Sequence, residues 1–132
     1  VKELIDKEIN AILINEDKTI LHFITKSGDE YSYYTNGECC SNSWYEHFNG
    51  LNYILKNKIL YVENIGVGEI KNSDYDLTQI YCINLKTEKG ICSIEFRNES
   101  NGFYGGSIEL LANLYRSCEY LNLNFKPIKE DF

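Results

Sequence analysis

No apolar run in this chain approaches the roughly 18 residues that a membrane-spanning helix needs, which argues against a bilayer protein. The first residues, Val1-Lys2-Glu3-Leu4-Ile5-Asp6, contain no signal-peptide core, so a cytoplasmic location is expected. Cationic residues are too few for a nucleic-acid binder: 13 Lys and Arg stand against 20 Asp and Glu, for a net charge of −7. A protein that grips a phosphate backbone needs a cationic stripe to displace counterions. The lysines here are scattered, so generic nucleic-acid binding is disfavoured, whereas an acidic surface suits docking on a basic protein patch. Cysteine is odd in number, at five, and irregular in spacing. Without a secretion signal, reduced thiols are expected rather than a disulfide framework. Internal repeats and low-complexity linkers are missing, and the glycine-rich loop near residue 105 lacks the G-K-[ST] ending of a phosphate-binding loop.

What is present fits a folded globule. The 132 residues suit one domain with one core. A hydrophobic share of 43% and an aromatic share of 14% lean towards sheet, because Tyr and Phe fit a pleated, half-buried surface.

Along the chain, residues 1–8 offer one helical turn with Leu4 and Ile5 inward. Ile9–Ile14 and Thr19–Thr25 read as strands around Asn15-Glu16-Asp17-Lys18. Gly28-Asp29 then reads as a two-residue type II′ turn into a third strand, Tyr31–Thr35. With these turns, Ala11, Leu13, Ile20, His22, Ile24 and Tyr33 share one face, and Ile12, Ile14, Leu21, Phe23 and Tyr34 the other. Both faces are apolar, so a helix is expected on one of them. Ser43-Trp44-Tyr45-Glu46 has the S-x-x-E form of a capping box, and Gly50 suits a left-handed C′ position. The pattern predicts a helix of about two turns that starts at Ser43 and has Gly50 at C′, open to extension by Leu51–Leu55. Lys58–Ile65 reads as a strand ended by Gly66-Val67-Gly68. Residues 76–97 form the clearest hairpin: pairing Lys86 with Ile91 sets Leu85 against Cys92, Ile83 against Ile94 and Tyr81 against Phe96. Cys82 and Cys92 then face opposite ways and cannot be bridged. Asn98–Gly106 reads as a turn-rich loop and Ser107–Ala112 as a strand. The expectation is an α+β domain over residues 1–132, mainly antiparallel sheet, with a meander, a second hairpin and one short capped helix packed on the sheet. Its core spans 8–112. In the tail, 113–132, helical and strand patterns compete up to Pro127.

The stretch from Tyr33 to Gly50 holds the only Trp and the pair Cys39-Cys40. Adjacent cysteines cannot easily turn both sulfurs to one ion, so no metal site is assigned to them with His47, and no cofactor is expected. A Cys40–His47 dyad fares poorly as well: seven residues along a helix span about 10 Å. Nucleophilic chemistry would need a sharp bend or His22 in its place. His22, placed opposite Ala11, reads as a satisfied structural histidine. Trp44, Tyr45 and Phe48 read first as core anchors, and Arg97 with its polar neighbours as a turn held by its own side chains. The functional reading of these stretches is a recognition surface built from Trp44, Tyr45 and His47 with Arg97, Asn98, Ser100, Asn101 and Tyr104.

Gly37-Glu38-Cys39-Cys40-Ser41-Asn42-Ser43-Trp44 and Glu95-Phe96-Arg97-Asn98-Glu99-Ser100-Asn101-Gly102-Phe103-Tyr104-Gly105-Gly106 resemble an uncharacterised family of small proteins found mainly in bacteriophages. The likeness covers about residues 8–110. It carries no catalytic residue over, and implies a phage origin and a host-cytoplasm location. In that setting the expected function is non-enzymatic: an inhibitor of a host antiviral-defence component, such as CRISPR or nucleotide signalling. It would act by docking on a host protein or by sequestering a small signalling molecule. The competing expectations are a small hydrolase or thiol transferase using Cys40 with a His, and a virion structural or assembly subunit.

Overall fold

The computed structural model describes residues 1–37, 41–73, 76–100, 106–110 and 124–128. Among the described residues, nine strands form two sheets. β1 (Ile9–Ile14), β2 (Ile20–Thr25), β3 (Glu30–Gly37), β8 (Gly106–Leu110) and β9 (Lys126–Pro127) make the first, in the order β8-β3-β2-β1-β9. β4 (Asn42–Asn49), β5 (Tyr61–Lys71), β6 (Leu77–Thr87) and β7 (Gly90–Ser100) make the second, in the order β4-β7-β6-β5. A 3-10 turn, Lys2–Leu4, precedes β1, and the helix α1 spans Leu51–Ile54. The class is the expected one, mainly antiparallel sheet with a single short helix.

Alternation explains how the sheets face each other. Ile12, Ile14, Leu21, Phe23 and Tyr33 are buried from the first sheet, and Tyr45, Phe48, Ile83, Leu85, Cys92, Ile94 and Phe96 from the second, in one continuous core with Leu4, Ile54 and Ile59. Tyr81 stacks on Phe96 at 4.8 Å between ring centroids. Tyr45 crosses the interface, its hydroxyl donating to the Tyr33 carbonyl at 3.0 Å. Around these two tyrosines, Leu21, Phe23, Ile83, Ile94 and Ile108 close the space to water.

The β6–β7 hairpin has the expected register at every pair, including Lys86 with Ile91 and Tyr81 with Phe96. Cys92 is buried in the core, Cys82 lies half-buried on the opposite face, and both are free thiols. In the meander the three strands form but their partners shift. β1 and β2 pair Leu13 with His22 and Ala11 with Ile24, a slip of two residues that preserves the faces and moves His22 away from Ala11. β2 and β3 pair Leu21 with Tyr33 and Ile20 with Tyr34. Gly28, at φ +93°, closes a three-residue loop in which its N–H donates to the Thr25 carbonyl at 3.0 Å and the Thr25 N–H to the Asp29 carbonyl at 2.9 Å. This replaces the expected two-residue turn, and the resulting odd slip exchanges the faces of Tyr33 and Tyr34.

The largest correction concerns the helix expected from Ser43: residues Asn42–Asn49 form strand β4 instead. Both capping-box side chains are engaged elsewhere: the Ser43 hydroxyl donates to Asn98 Oδ1 at 2.6 Å, and Glu46 Oε2 accepts from the Trp44 indole at 2.5 Å. A bulge between Tyr45 and His47 breaks the alternation. It buries Phe48 after Tyr45 at a spacing of three, which imitates helical periodicity. Gly50, at φ +89°, stands before α1 rather than after a helix. The glycines at 66 and 68 likewise do not end a strand. They flank a bulge in β5, which runs on to Lys71. β7 continues through Asn98, Glu99 and Ser100, where a loop was expected. The tail reading lies mostly outside the described residues; Pro127 sits in β9, on the sheet edge where its missing N–H is tolerated.

Burial pushes the phenols of Tyr33 and Tyr45 well above their ordinary range, for Tyr33 with help from the Glu3 carboxylate. An unfolded chain loses these protons near pH 10, while the native state still binds them. Stability from these groups is therefore fully present below about pH 10 and falls as pH rises beyond it. In an absorbance titration at 295 nm, two of the eleven tyrosines are expected to ionise only as the native circular dichroism is lost. Ionisation of every tyrosine in the folded state would contradict this.

Candidate functional site

The two sheets are joined at one corner. Asn15, itself buried, accepts at Oδ1 from the N–H groups of Thr19 and Ile20, both at 2.8 Å, and fixes the β1–β2 turn. Lys18 adopts φ +58° there. Its carbonyl accepts from the Tyr45 N–H of β4 at 2.7 Å, and the Thr19 carbonyl accepts from the Thr35 N–H of β3 at 2.9 Å. Thr35 adds a bond from its hydroxyl to the Ser43 carbonyl at 3.0 Å. Beneath lies a buried polar node. Asn98 accepts from Ser43 and donates to Gln79 Oε1 at 3.2 Å, and Gly106 lies so close that an added Cβ would stand 2.8 Å from Asn98 Cβ.

This corner carries an open cleft of about 550 Å³, within the volume range of small-molecule pockets. Asp17, Lys18 and Thr19 of the turn form one wall, and Asn42, Ser43, Trp44 and Glu99 of β4 and β7 the other. Among the described residues its charged lining is two carboxylates to one ammonium. The backbone bonds hold both walls, so the cleft is preformed.

Beside it, the outer face of the second sheet carries a connected cluster. Trp44 stands directly opposite Arg97, and His47 opposite Glu95. Arg97 Nε donates to Glu95 Oε2 at 3.0 Å, and its Nη1 lies 4.0 Å from Glu46 Oε1. Two carboxylates on one half-buried guanidinium leave the patch acidic, so Arg97 organises Glu46 and Glu95 rather than offering a free cation.

Of the expected recognition residues, the structure brings Trp44, Arg97 and His47 together on this surface. Tyr45, Asn98 and Ser100 are buried on the inner side of the sheet; as core and node residues they cannot touch a partner directly. Asn101 and Tyr104 lie outside the described residues, as do Cys39 and Cys40. Asp17, Thr19, Asn42 and Glu99 were not anticipated. Each is an ordinary polar turn or strand residue in sequence; the β4–β7 pairing brings Asn42 to Glu99, and the meeting of the two sheets adds Asp17 and Thr19.

Two constellations invite a catalytic reading. His22 Nδ1 lies 2.5 Å from Ser32 Oγ, and its Nε2 lies 3.0 Å from Glu30 Oε1, the order of a nucleophile, base and orienting acid. They sit on the outer face of β2 and β3; β2 is paired on both sides over this stretch, whereas the described pairing of β3 with β8 begins at Tyr33. The backbone N–H groups of β2 there lie in the sheet plane and serve its two ladders. His47 and Cys82 flank Glu95 from the two neighbouring strands, about 10 Å apart at the usual strand spacing. Burial pushes the Cys82 thiol up, with Glu95 adding to the shift and a bond with Ser93 opposing it, so its thiolate is disfavoured. Among the described residues no group of three or more His, Cys, Asp or Glu is placed to hold a metal ion.

A two-sheet antiparallel domain with a rigid, acid-lined corner cleft is the class that fold and site define. The chain belongs to the family described as a domain of unknown function, DUF7448, whose model matches residues 2–110. This span runs from the 3-10 turn through β8 and includes both walls of the cleft. No curated protein matches the chain, and no solved structure does either. Among the described residues no helix is long and apolar enough to cross a membrane.

Proposed function

We propose that this protein is a non-enzymatic binding protein that docks through the Trp44 corner on a basic surface of a partner protein. The observation that carries the reading is the cleft itself, preformed, walled by Trp44 and bearing Asp17 and Glu99, on a chain of net charge −7. The same charges weigh against a sequestered nucleotide, whose phosphates would meet two carboxylates. The resemblance to bacteriophage proteins extends the proposal: the protein is phage-encoded, acts in the host cytoplasm and antagonises an antiviral-defence component.

Affinity capture from host lysate tests it, with Trp44→Ala as the comparison. One defence protein is expected to be retained by the wild type and reduced at least tenfold with Trp44→Ala, whose circular dichroism should match the wild type. Phage plating on a defended host should improve with the wild type alone. Equal capture by both forms would refute docking at this corner. The enzymatic alternative makes the opposite forecast: His-dependent labelling of Ser32 by a fluorophosphonate, or of a thiol by iodoacetamide at neutral pH, would replace the binding reading.

A further inference from the structure

We infer that the corner cleft is the seat for a single arginine side chain of the partner protein. This deepens the docking reading and rests on it. The chemistry of the walls selects the occupant. Trp44 has one polar atom, Nε1, and it is already committed to Glu46 at 2.5 Å, so what the indole offers the cleft is carbon and π surface. That surface attracts a cation, and a guanidinium above all, because it is planar, weakly hydrated and able to stack. Asp17 and Glu99 stand in the same lining. Neither side-chain carboxylate makes a hydrogen bond or ion pair among the described residues, so both can accept the fork of N–H donors in a charge-assisted pair. Asn42 and Thr19 add neutral hydrogen-bonding groups at the mouth.

Two neighbouring features favour a cation from outside over one from within. Arg97, the cation nearest Trp44 across the sheet, is held by Glu95 and Glu46 and is not available to fill the cleft. Lys18 lines the cleft, but its backbone is pinned in the turn by the bond with the Tyr45 N–H, and a single ammonium leaves one carboxylate in excess. Because the walls are stitched through backbone groups, an entering side chain meets a site that needs no rearrangement, which limits the entropic cost of binding.

Trp44 is the only tryptophan in the chain, so its fluorescence reports on the cleft without labelling. The experiment titrates the full chain with hexa-arginine, hexa-citrulline and free arginine. Three forms are compared: wild type, Asp17→Asn/Glu99→Gln, and Glu63→Gln/Glu69→Gln, which removes the same charge from exposed positions on β5. Hexa-arginine is expected to shift the emission saturably and hexa-citrulline to leave it unchanged. The cleft pair should weaken hexa-arginine binding at least tenfold, and the β5 pair less than twofold. Equal weakening by both pairs would mean diffuse electrostatics and overturn the inference, as would the lack of any saturable shift. Free arginine binding as tightly as the peptide would make this a small-molecule site and overturn it too. Lysate capture separates the two levels of the reading. If a partner is retained by Asp17→Asn/Glu99→Gln but lost with Trp44→Ala, docking stands and the arginine seat falls.

Discussion

Replacing Gly50 by alanine is expected to destabilise the protein by about 2–5 kcal/mol, read as a lower urea midpoint at unchanged slope. Two costs combine. At φ +89° a residue with a Cβ pays about 1–2 kcal/mol in the left-handed region. The new methyl would also stand 2.7 Å from the Ile91 carbonyl and 3.0 Å from Cys92 Cα, backbone atoms that cannot swing aside. Forcing atoms into packed space of this kind adds about 1–3 kcal/mol. Gly28→Ala separates the contributions. Its φ is +93°, yet nothing lies within 4 Å of the added carbon, so only the backbone part should appear. Equal losses at the two positions would show that the contact between α1 and β7 is slack.

Truncating Tyr45 to alanine should cost about 3–5 kcal/mol, as for other large aromatic side chains removed from a core. Tyr45 has 0% exposure and bridges the two sheets through its bond to the Tyr33 carbonyl. Tyr45→Phe keeps the ring and should lose only about 1–2 kcal/mol, the value of a buried bond whose acceptor is left behind. The comparison with its neighbour is instructive. Trp44→Ala is expected to abolish docking in a fold of near-native stability, and Tyr45→Phe to weaken the fold while docking persists in the folded fraction. Urea titrations of the three variants beside the capture assay check both. If Tyr45→Phe also abolished capture without unfolding, the recognition surface would have to include the inner side of β4.

How far the sequence reveals this arrangement depends on which interactions are local. The β6–β7 hairpin was legible pair by pair, because a tight turn and a one-faced apolar pattern leave a single register. β3 was misread for a reason confined to Lys26, Ser27 and Gly28: two-residue and three-residue loops both accept this composition, and the choice moves Tyr33 and Tyr34 to opposite faces. β4 was misread because its bulge sets Tyr45 and Phe48 three apart and places Ser43 and Glu46 as a capping box would. Their actual partners, Asn98 and Trp44, are set by the sheet. The pairing of Trp44 with the Arg97 motif was legible as a suspicion from two unusual stretches. The cleft was not. Asn42 and Glu99 meet only when β4 pairs with β7, and Asp17 joins them only when the β1–β2 turn of the other sheet is set against β4.

That assembly has a cost in time. β5, β6 and β7 follow one another in the chain and pair with their immediate neighbours, as do β1, β2 and β3, so both meanders can form from short loops. The remaining strands cannot. β4 leaves the first meander to join β7 across some fifty residues, and β8 returns from the far side of the second meander to cover β3. Contacts of such sequence separation must overcome loop-closure entropy before they contribute. The corner cleft, which needs both β4 and the β1–β2 turn in place, is therefore a late product of folding. During synthesis the ribosome must release β7 before the Trp44 wall has a strand to lean on, so a nascent chain halted between β4 and β7 would carry the tryptophan without the site.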